Sequence, residues 1–119
     1  MPICQMKTNF QFSPEKKSEF LEKTAETLSV LLEKPIQAVM VMLSEETMCM
    51  NKSSDTVFFA EFRYVMNFSG ADEKTAFLEK FADTMLALIQ SYTDVDPYRI
   101  YMQFTEMSRD GAWRYIPKN

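Results

Sequence analysis

Apolar positions along this chain follow a strand-like rhythm, then a helical one, then a strand-like one again, and the whole order occurs twice. Residues 2–9 are short, apolar-rich and followed by a turn, which predicts a first strand. Ser13-Pro14-Glu15 then supplies an N-cap, a proline at the first helical position and an acid in the first turn. Phe20, Leu21, Ala25, Leu28, Leu31 and Leu32 recur at helical spacing, so residues 14–33 are expected to form an amphipathic helix. Lys34-Pro35 ends it, because a residue before proline is pushed out of the α region. Residues 38–43, Ala-Val-Met-Val-Met-Leu, are apolar on both faces, the pattern of a central strand covered on both sides.

The second half repeats the plan. Residues 57–66 predict a strand, Ser69-Gly70-Ala71-Asp72 fits a capping box, and Phe77, Leu78, Phe81, Ala82, Met85 and Ile89 line a second helix. Asp96-Pro97 opens a final strand at about 98–106. The repetition reaches the letters themselves. Phe-Leu-Glu-Lys-Thr-Ala-Glu-Thr-Leu at 20–28 returns 57 positions later as Phe-Leu-Glu-Lys-Phe-Ala-Asp-Thr-Met, with six of nine residues identical. Two copies of one small supersecondary unit, each unable to bury its own core, account for such a repeat.

The expected fold class is therefore α/β (α+β), built from βαβ halves at about 2–43 and 57–106 within one domain of residues 1–119. Right-handed crossovers make a mixed four-stranded sheet with both helices on one face. The other face is expected to display Met, Val, Phe and Tyr side chains that nothing in the chain covers, which implies self-association.

Composition narrows the chemistry. Apolar residues at 46% and charged residues at 25% suit a globular protein of 119 residues with a modest core. There is no run of about 18 apolar residues to span a bilayer, and no basic stretch leading into an apolar one, so neither a membrane nor a secretory signal is expected. A net charge of −4 without a basic stripe argues against nucleic acid. Cys4 and Cys49 lie far apart and form no CxxC pair, and the chain has no histidine, so no metal or other cofactor is expected. Without histidine, a general base near neutral pH must be a shifted carboxylate, a lysine or an N-terminal amine.

Several short motifs now fall into a recognisable order. Met1-Pro2 leads straight into the first strand and Thr8-Asn9 ends it. Lys34-Pro35 lies between the first helix and the second strand, Ser53-Ser54-Asp55 precedes the third strand, and Asp96-Pro97-Tyr98-Arg99-Ile100-Tyr101 opens the last. Trp113 stands near the C-terminus. In this order, on a repeated βαβ frame, the chain resembles the tautomerase superfamily, in the branch of macrophage migration inhibitory factor and dopachrome tautomerase, over nearly its whole length.

The resemblance implies a symmetric homotrimer with sites between subunits and the mature N-terminal proline as catalytic base. It implies Pro2 as that base, Lys34 as the cation holding a substrate carboxylate, and the backbone at Val65 as a substrate contact. Tyr101 matches a tyrosine given by the neighbouring subunit, Gln103 stands where relatives place asparagine, and Trp113 matches an aromatic wall. Elementary chemistry agrees for Pro2: removal of Met1 makes its nitrogen a secondary amine, and burial beside a lysine favours the neutral, basic form. Tyr101 and Gln103, two apart on one strand, face the same side.

Three segments depart from the family pattern. A glycine-bearing stretch is replaced by Met50-Asn51-Lys52, Ser-Ile-Gly by Tyr64-Val65-Met66, and the usual ending by Trp113-Arg114-Tyr115-Ile116-Pro117. Lys52 and Arg114 add positive charge, which favours an acidic substrate. The expected function is keto–enol tautomerisation of a small aromatic α-keto acid such as phenylpyruvate, or of a dopachrome-like compound. The alternative is a cytokine-like trimeric protein that engages a protein receptor with little or no turnover. The expected location is the cytoplasm, with leaderless export as a second destination.

Overall fold

The computed structural model describes residues 1–117. Four strands, β1 (Ile3–Thr8), β2 (Met40–Glu45), β3 (Phe58–Tyr64) and β4 (Ile100–Glu106), form one sheet in the order β2-β1-β3-β4. β1 runs parallel to β2, antiparallel to β3, and β3 runs parallel to β4. Helix α1 (Pro14–Leu32) makes the first crossover and α2 (Ala71–Tyr92) the second. This is the mixed four-stranded sheet of two βαβ halves that the repeat predicts.

Both helices cover the same face. Cys4 and Met6 of β1, and Phe58, Ala60, Phe62 and Tyr64 of β3, meet Phe20, Leu28 and Leu32 of α1 and Phe81, Met85 and Ile89 of α2 in one buried cluster. Phe81 anchors the second half, with ring centroids 4.8 Å from Phe62 and 4.9 Å from Phe104. The sequence repeat maps onto this core in an uneven way. The buried positions Thr24 and Leu28 of α1 correspond to Phe81 and Met85 of α2, and these are among the positions where the two copies differ. The matched Glu-Lys pairs instead face solvent. Each helix has thus been fitted to its own half of the sheet.

Helix α1 starts as its sequence predicts: the Ser13 hydroxyl accepts the Lys16 N–H at 3.3 Å, with Pro14 in the first turn. Its end is more specific than a proline stop. Glu33 adopts a left-handed conformation at φ 52°, the Lys34 N–H reaches Ser29 O at 3.0 Å, and the Glu33 N–H reaches Val30 O at 3.3 Å. This paired closure satisfies carbonyls the last turn leaves open. Helix α2 begins one residue later than the capping-box reading places it. Gly70 is the N-cap and has no side chain to offer, so Glu73 reaches back to accept from the Ser69 N–H at 2.6 Å and from the Ser69 hydroxyl.

Two further expectations need correction. The apolar run at 38–43 does not form a central strand: β2 is Met40–Glu45 and lies at the sheet edge, with Val41 and Leu43 half-buried and Met40 and Met42 exposed. The central strands are β1 and β3, each of which pairs on both sides. An apolar pattern on two faces reports surface that needs cover, not which element supplies it. The open face is also more polar than expected. Arg63 donates to Glu61 at 2.7 Å and to Gln5 at 3.2 Å, a cluster in the centre of the sheet flanked by Met42, Phe59 and Tyr101.

Candidate active site at the start of β1

Pro2 sits immediately before β1 with its ring fully buried, and its carbonyl accepts the Met40 N–H at 3.0 Å. Continuing the β1–β3 register, in which Ile3 faces Arg63, puts Pro2 opposite Tyr64 and Met1 opposite Val65. Val65 is half-buried and borders a hollow with Met66, Asn67 and the turn from Met107 to Asp110. The Met107 N–H donates to Tyr64 O at 2.7 Å, so the chain leaves β4 at the same end of the sheet.

Lys34 approaches this end from α1. Its position is fixed from two directions, since its N–H donates to Ser29 O and its carbonyl accepts from the Ser29 hydroxyl at 2.5 Å. The N-terminal amine, carried by Met1, has its pKa held below the ordinary α-amine value. Burial is the first cause, and the positive charges of Lys34 and then Arg114 add to it. With Met1 in place the nitrogen of Pro2 is an amide. The Tyr64 phenol is pushed up by burial and by Glu106, which keeps it neutral.

One chain therefore gathers Pro2, Lys34 and Val65. It does not bring Tyr101 or Gln103 to them. Both are exposed on β4, on the open sheet face, and Tyr101 is in register with Phe59, which faces Lys7. Five residues along β1 and two strand spacings separate Tyr101 from Pro2, or roughly 20 Å. Trp113 is 80% exposed and lines a tail hollow with Arg114, Tyr115 and Ile116.

Arg114 is the group whose placement the sequence could not supply. Lys52 and Arg114 are both cations in altered segments, and the positive charge of Arg114 is among the causes that lower the pKa of the amine. Lys52 lies in the turn closed by Met50 and Ser53, where Arg99 holds the carbonyls of Met50, Ser53, Asp55 and Thr56. That knot sits at the other end of β1, beside Thr8 and Asn9. Asn9 donates to Ser54 O at 2.9 Å and accepts the Val57 N–H at 2.9 Å. Half of the motifs that carry the family resemblance thus build a loop, while Met1-Pro2 and Lys34-Pro35 lie at the Pro2 end of the sheet and Trp113 lies in the exposed tail. Among the described residues, no group of three or more His, Cys, Asp or Glu is arranged to hold a metal ion.

A duplicated βαβ sheet with a buried proline at its first strand defines a class, and comparison with known proteins gives it a family. The family described as macrophage migration inhibitory factor matches residues 1–113, and the chain belongs to that family. Its structure is similar to that of the macrophage migration inhibitory factor-like protein of Entamoeba histolytica, with a TM-score of 0.81 and 18% identity over 97% of this chain and 95% of that one. The macrophage migration inhibitory factor of Trichinella spiralis gives 0.76 and 18%, covering 94% and 95%. That of Toxoplasma gondii gives 0.72 and 24%, covering 89% and 90%. At these identities the likeness concerns the fold. No curated protein sequence matches the chain.

Proposed function

We propose that the chain is a keto–enol tautomerase of small aromatic α-keto acids such as phenylpyruvate, or of dopachrome-like compounds, acting as a homotrimer after Met1 is removed. The processed Pro2 nitrogen takes the proton from the carbon α to the carbonyl, and the electron pair moves onto the oxygen, which is then protonated to the enol. The reverse sequence returns the keto form. Lys34 holds the substrate carboxylate, the Val65 backbone borders the substrate, and Trp113 supplies an aromatic wall. Tyr101 and Gln103 of a neighbouring subunit orient or protonate the oxygen, which accounts for their exposure far from Pro2 in a single chain.

The observation that carries this reading is the environment of the N-terminal amine. Burial, Lys34 and Arg114 all disfavour the protonated form of the Met1 amine, and removal of Met1 would leave the Pro2 nitrogen one residue away in the same surroundings, which is what a general base working near neutral pH requires. The test is phenylpyruvate turnover by processed protein, by protein verified to retain Met1, and by Pro2→Gly. Processed protein is expected to be active, with both others lower by about 10²-fold or more, the scale of general-base catalysis. Equal activity in all three overturns the role of Pro2.

A second reading is favoured by the tail. Trp113, Tyr115 and Ile116 are 80%, 70% and 68% exposed, a cluster suited to engaging a protein receptor. On that reading the chain is a cytokine-like trimer with little turnover, and processed protein stays inactive in the same assay.

A further inference from the structure

We propose that Tyr64 is a positioning residue for the Pro2 base: its ring walls off the Pro2 ring from water and from the carboxylate of Glu106. The proposal deepens the tautomerase reading, on which it rests for the task of Pro2.

Three residues line up across the Pro2 end of the sheet, on its helix-covered face. Ile3 faces Arg63 in the antiparallel β1–β3 ladder, so the next step outward sets Pro2 opposite Tyr64. The parallel β3–β4 ladder sets Tyr64 beside Glu106. Pro2, Cys4, Met6 and Thr8 are all buried, as are Phe58, Ala60, Phe62 and Tyr64, so Pro2 and Tyr64 share the face that the helices cover. Directly opposed residues have Cβ atoms about 5 Å apart. Glu106 stands two strands from Pro2, roughly 10 Å away, with Tyr64 between them. Its carboxylate turns to the same face, where it holds the Lys74 ammonium of α2 at 2.7 Å.

Burial identifies Tyr64 as the wall. Met1 and Val65, one step further out, are only half-buried, yet the Pro2 ring is fully buried. A ring as short as proline's does not exclude water at a sheet rim by itself, and Tyr64 is the largest fully buried side chain among the described residues. The Tyr64 ring is backed by Phe81 of α2, with centroids 6.1 Å apart, and its carbonyl accepts the Met107 N–H at 2.7 Å. The charged groups around this end are Lys34 after α1, Lys74 of α2, Glu106 of β4, Arg109 and Asp110 of the turn beyond it, and Arg114 in the tail. The Cys4 thiol, next along β1, is kept neutral by burial. Of the two acids, Glu106 alone stands in the row with Pro2 and Tyr64, and its charge helps to push the Tyr64 phenol up. Negative charge or water beside an amine favours the protonated form, which cannot act as a base.

The test is the ¹⁵N titration of Pro2 in processed protein, with kcat and KM for phenylpyruvate beside it, in the unaltered chain and in variants of Tyr64 and Glu106. Tyr64→Met keeps a long apolar side chain against Phe81 but no flat wall. Its amine midpoint should move upward, and kcat should fall by roughly tenfold or more with KM little changed, the mark of a displaced reacting group rather than of lost binding. Tyr64→Phe keeps the ring and should restore both. Adding Glu106→Gln to Tyr64→Met should recover part of the midpoint, whereas Glu106→Gln alone should leave it in place because the wall is intact. A midpoint that stays fixed in Tyr64→Met, or that moves as far in Tyr64→Phe, overturns the proposal. So does a midpoint that drops in Glu106→Gln alone, a measurement that holds even if Tyr64→Met fails to fold. If the midpoints behave as expected while no protein turns over phenylpyruvate, the wall stands and the tautomerase reading fails.

Discussion

Pro2 and Met40 are joined by a backbone hydrogen bond of 3.0 Å, from the Met40 N–H to the Pro2 carbonyl. The bond fixes the residue ahead of β1 against the first residue of β2, and the proline ring already limits its φ. The nitrogen on the far side of that ring is thus held in place by the sheet rather than by a loose terminus. This is the structural basis for giving it a chemical task.

The sheet's open face leads to a prediction about assembly. Met40 and Met42 are exposed on the edge strand, and Tyr101 is exposed on the opposite edge. Edge strands with apolar side chains invite pairing with another chain. Light scattering at micromolar concentration is expected to give the mass of a trimer. A stable monomer would remove both the assembly and the shared site.

Thr8 tests the knot at the far end of β1. Its hydroxyl is fully buried, donates to Val57 O at 2.7 Å and accepts the Phe10 N–H at 3.0 Å. Thr8→Val keeps the shape and strands two backbone groups, so urea unfolding should show a loss of about 2 kcal/mol or more. A loss below about 0.5 kcal/mol would mean that water replaces the hydroxyl there.

Arg99 offers a sharper case, because its fork spans four backbone carbonyls, those of Met50, Ser53, Asp55 and Thr56. Lysine carries the charge without the fork. Arg99→Lys should therefore lose about 1.5–3 kcal/mol of stability, with faster amide exchange concentrated at 50–57. Unchanged exchange in that segment would show that the loop holds itself.

The contrast between these knots and the helices explains what was legible in the sequence. Helix α1 was readable nearly to the residue, since Ser13-Pro14 and the spacing of Phe20, Leu28 and Leu32 are local signals. So were four strands and their duplicated order, and with them the mixed sheet. The central place given to 38–43 was not sound, because coverage of a strand depends on partners outside it. The cap of α2 slipped by one residue because Ser69 and Gly70 both suit that position. The Arg99 clamp and the effect of Arg114 on the amine span dozens of residues of sequence and leave no local trace. For the candidate site, the motif order brought Pro2, Lys34 and Val65 to attention, and these do converge; Tyr101 and Gln103 lie at a distance that a single chain does not close.

The two cysteines should behave oppositely. Cys4 is fully buried, and burial pushes its thiol up to about 12, whereas Cys49 is exposed. Alkylation of native protein at pH 8, read by mass spectrometry, should modify Cys49 and spare Cys4 until the chain is unfolded. Equal labelling of both in native protein would show that β1 opens readily.

The central claim is that the N-terminal amine near Lys34 is the base, and its titration tests this most directly. With Met1 present, the folded α-amine is held below its ordinary value by burial, Lys34 and Arg114, while in the unfolded chain it returns to about 8. Between those two values the unfolded chain binds more protons, so stability should rise with pH across that window. Activity needs the neutral Pro2 amine of processed protein and should rise through that amine's own folded value, expected to be lowered by the same neighbours. The decisive measurement is the ¹⁵N titration of Pro2 in processed protein, set beside the pH dependence of kcat/KM for phenylpyruvate, in the unaltered chain and in Lys34→Ala. The account predicts that the two midpoints coincide below 8 and move upward together in Lys34→Ala, because a repelling charge is gone. A rate profile whose midpoint stays fixed while the amine's moves would contradict it.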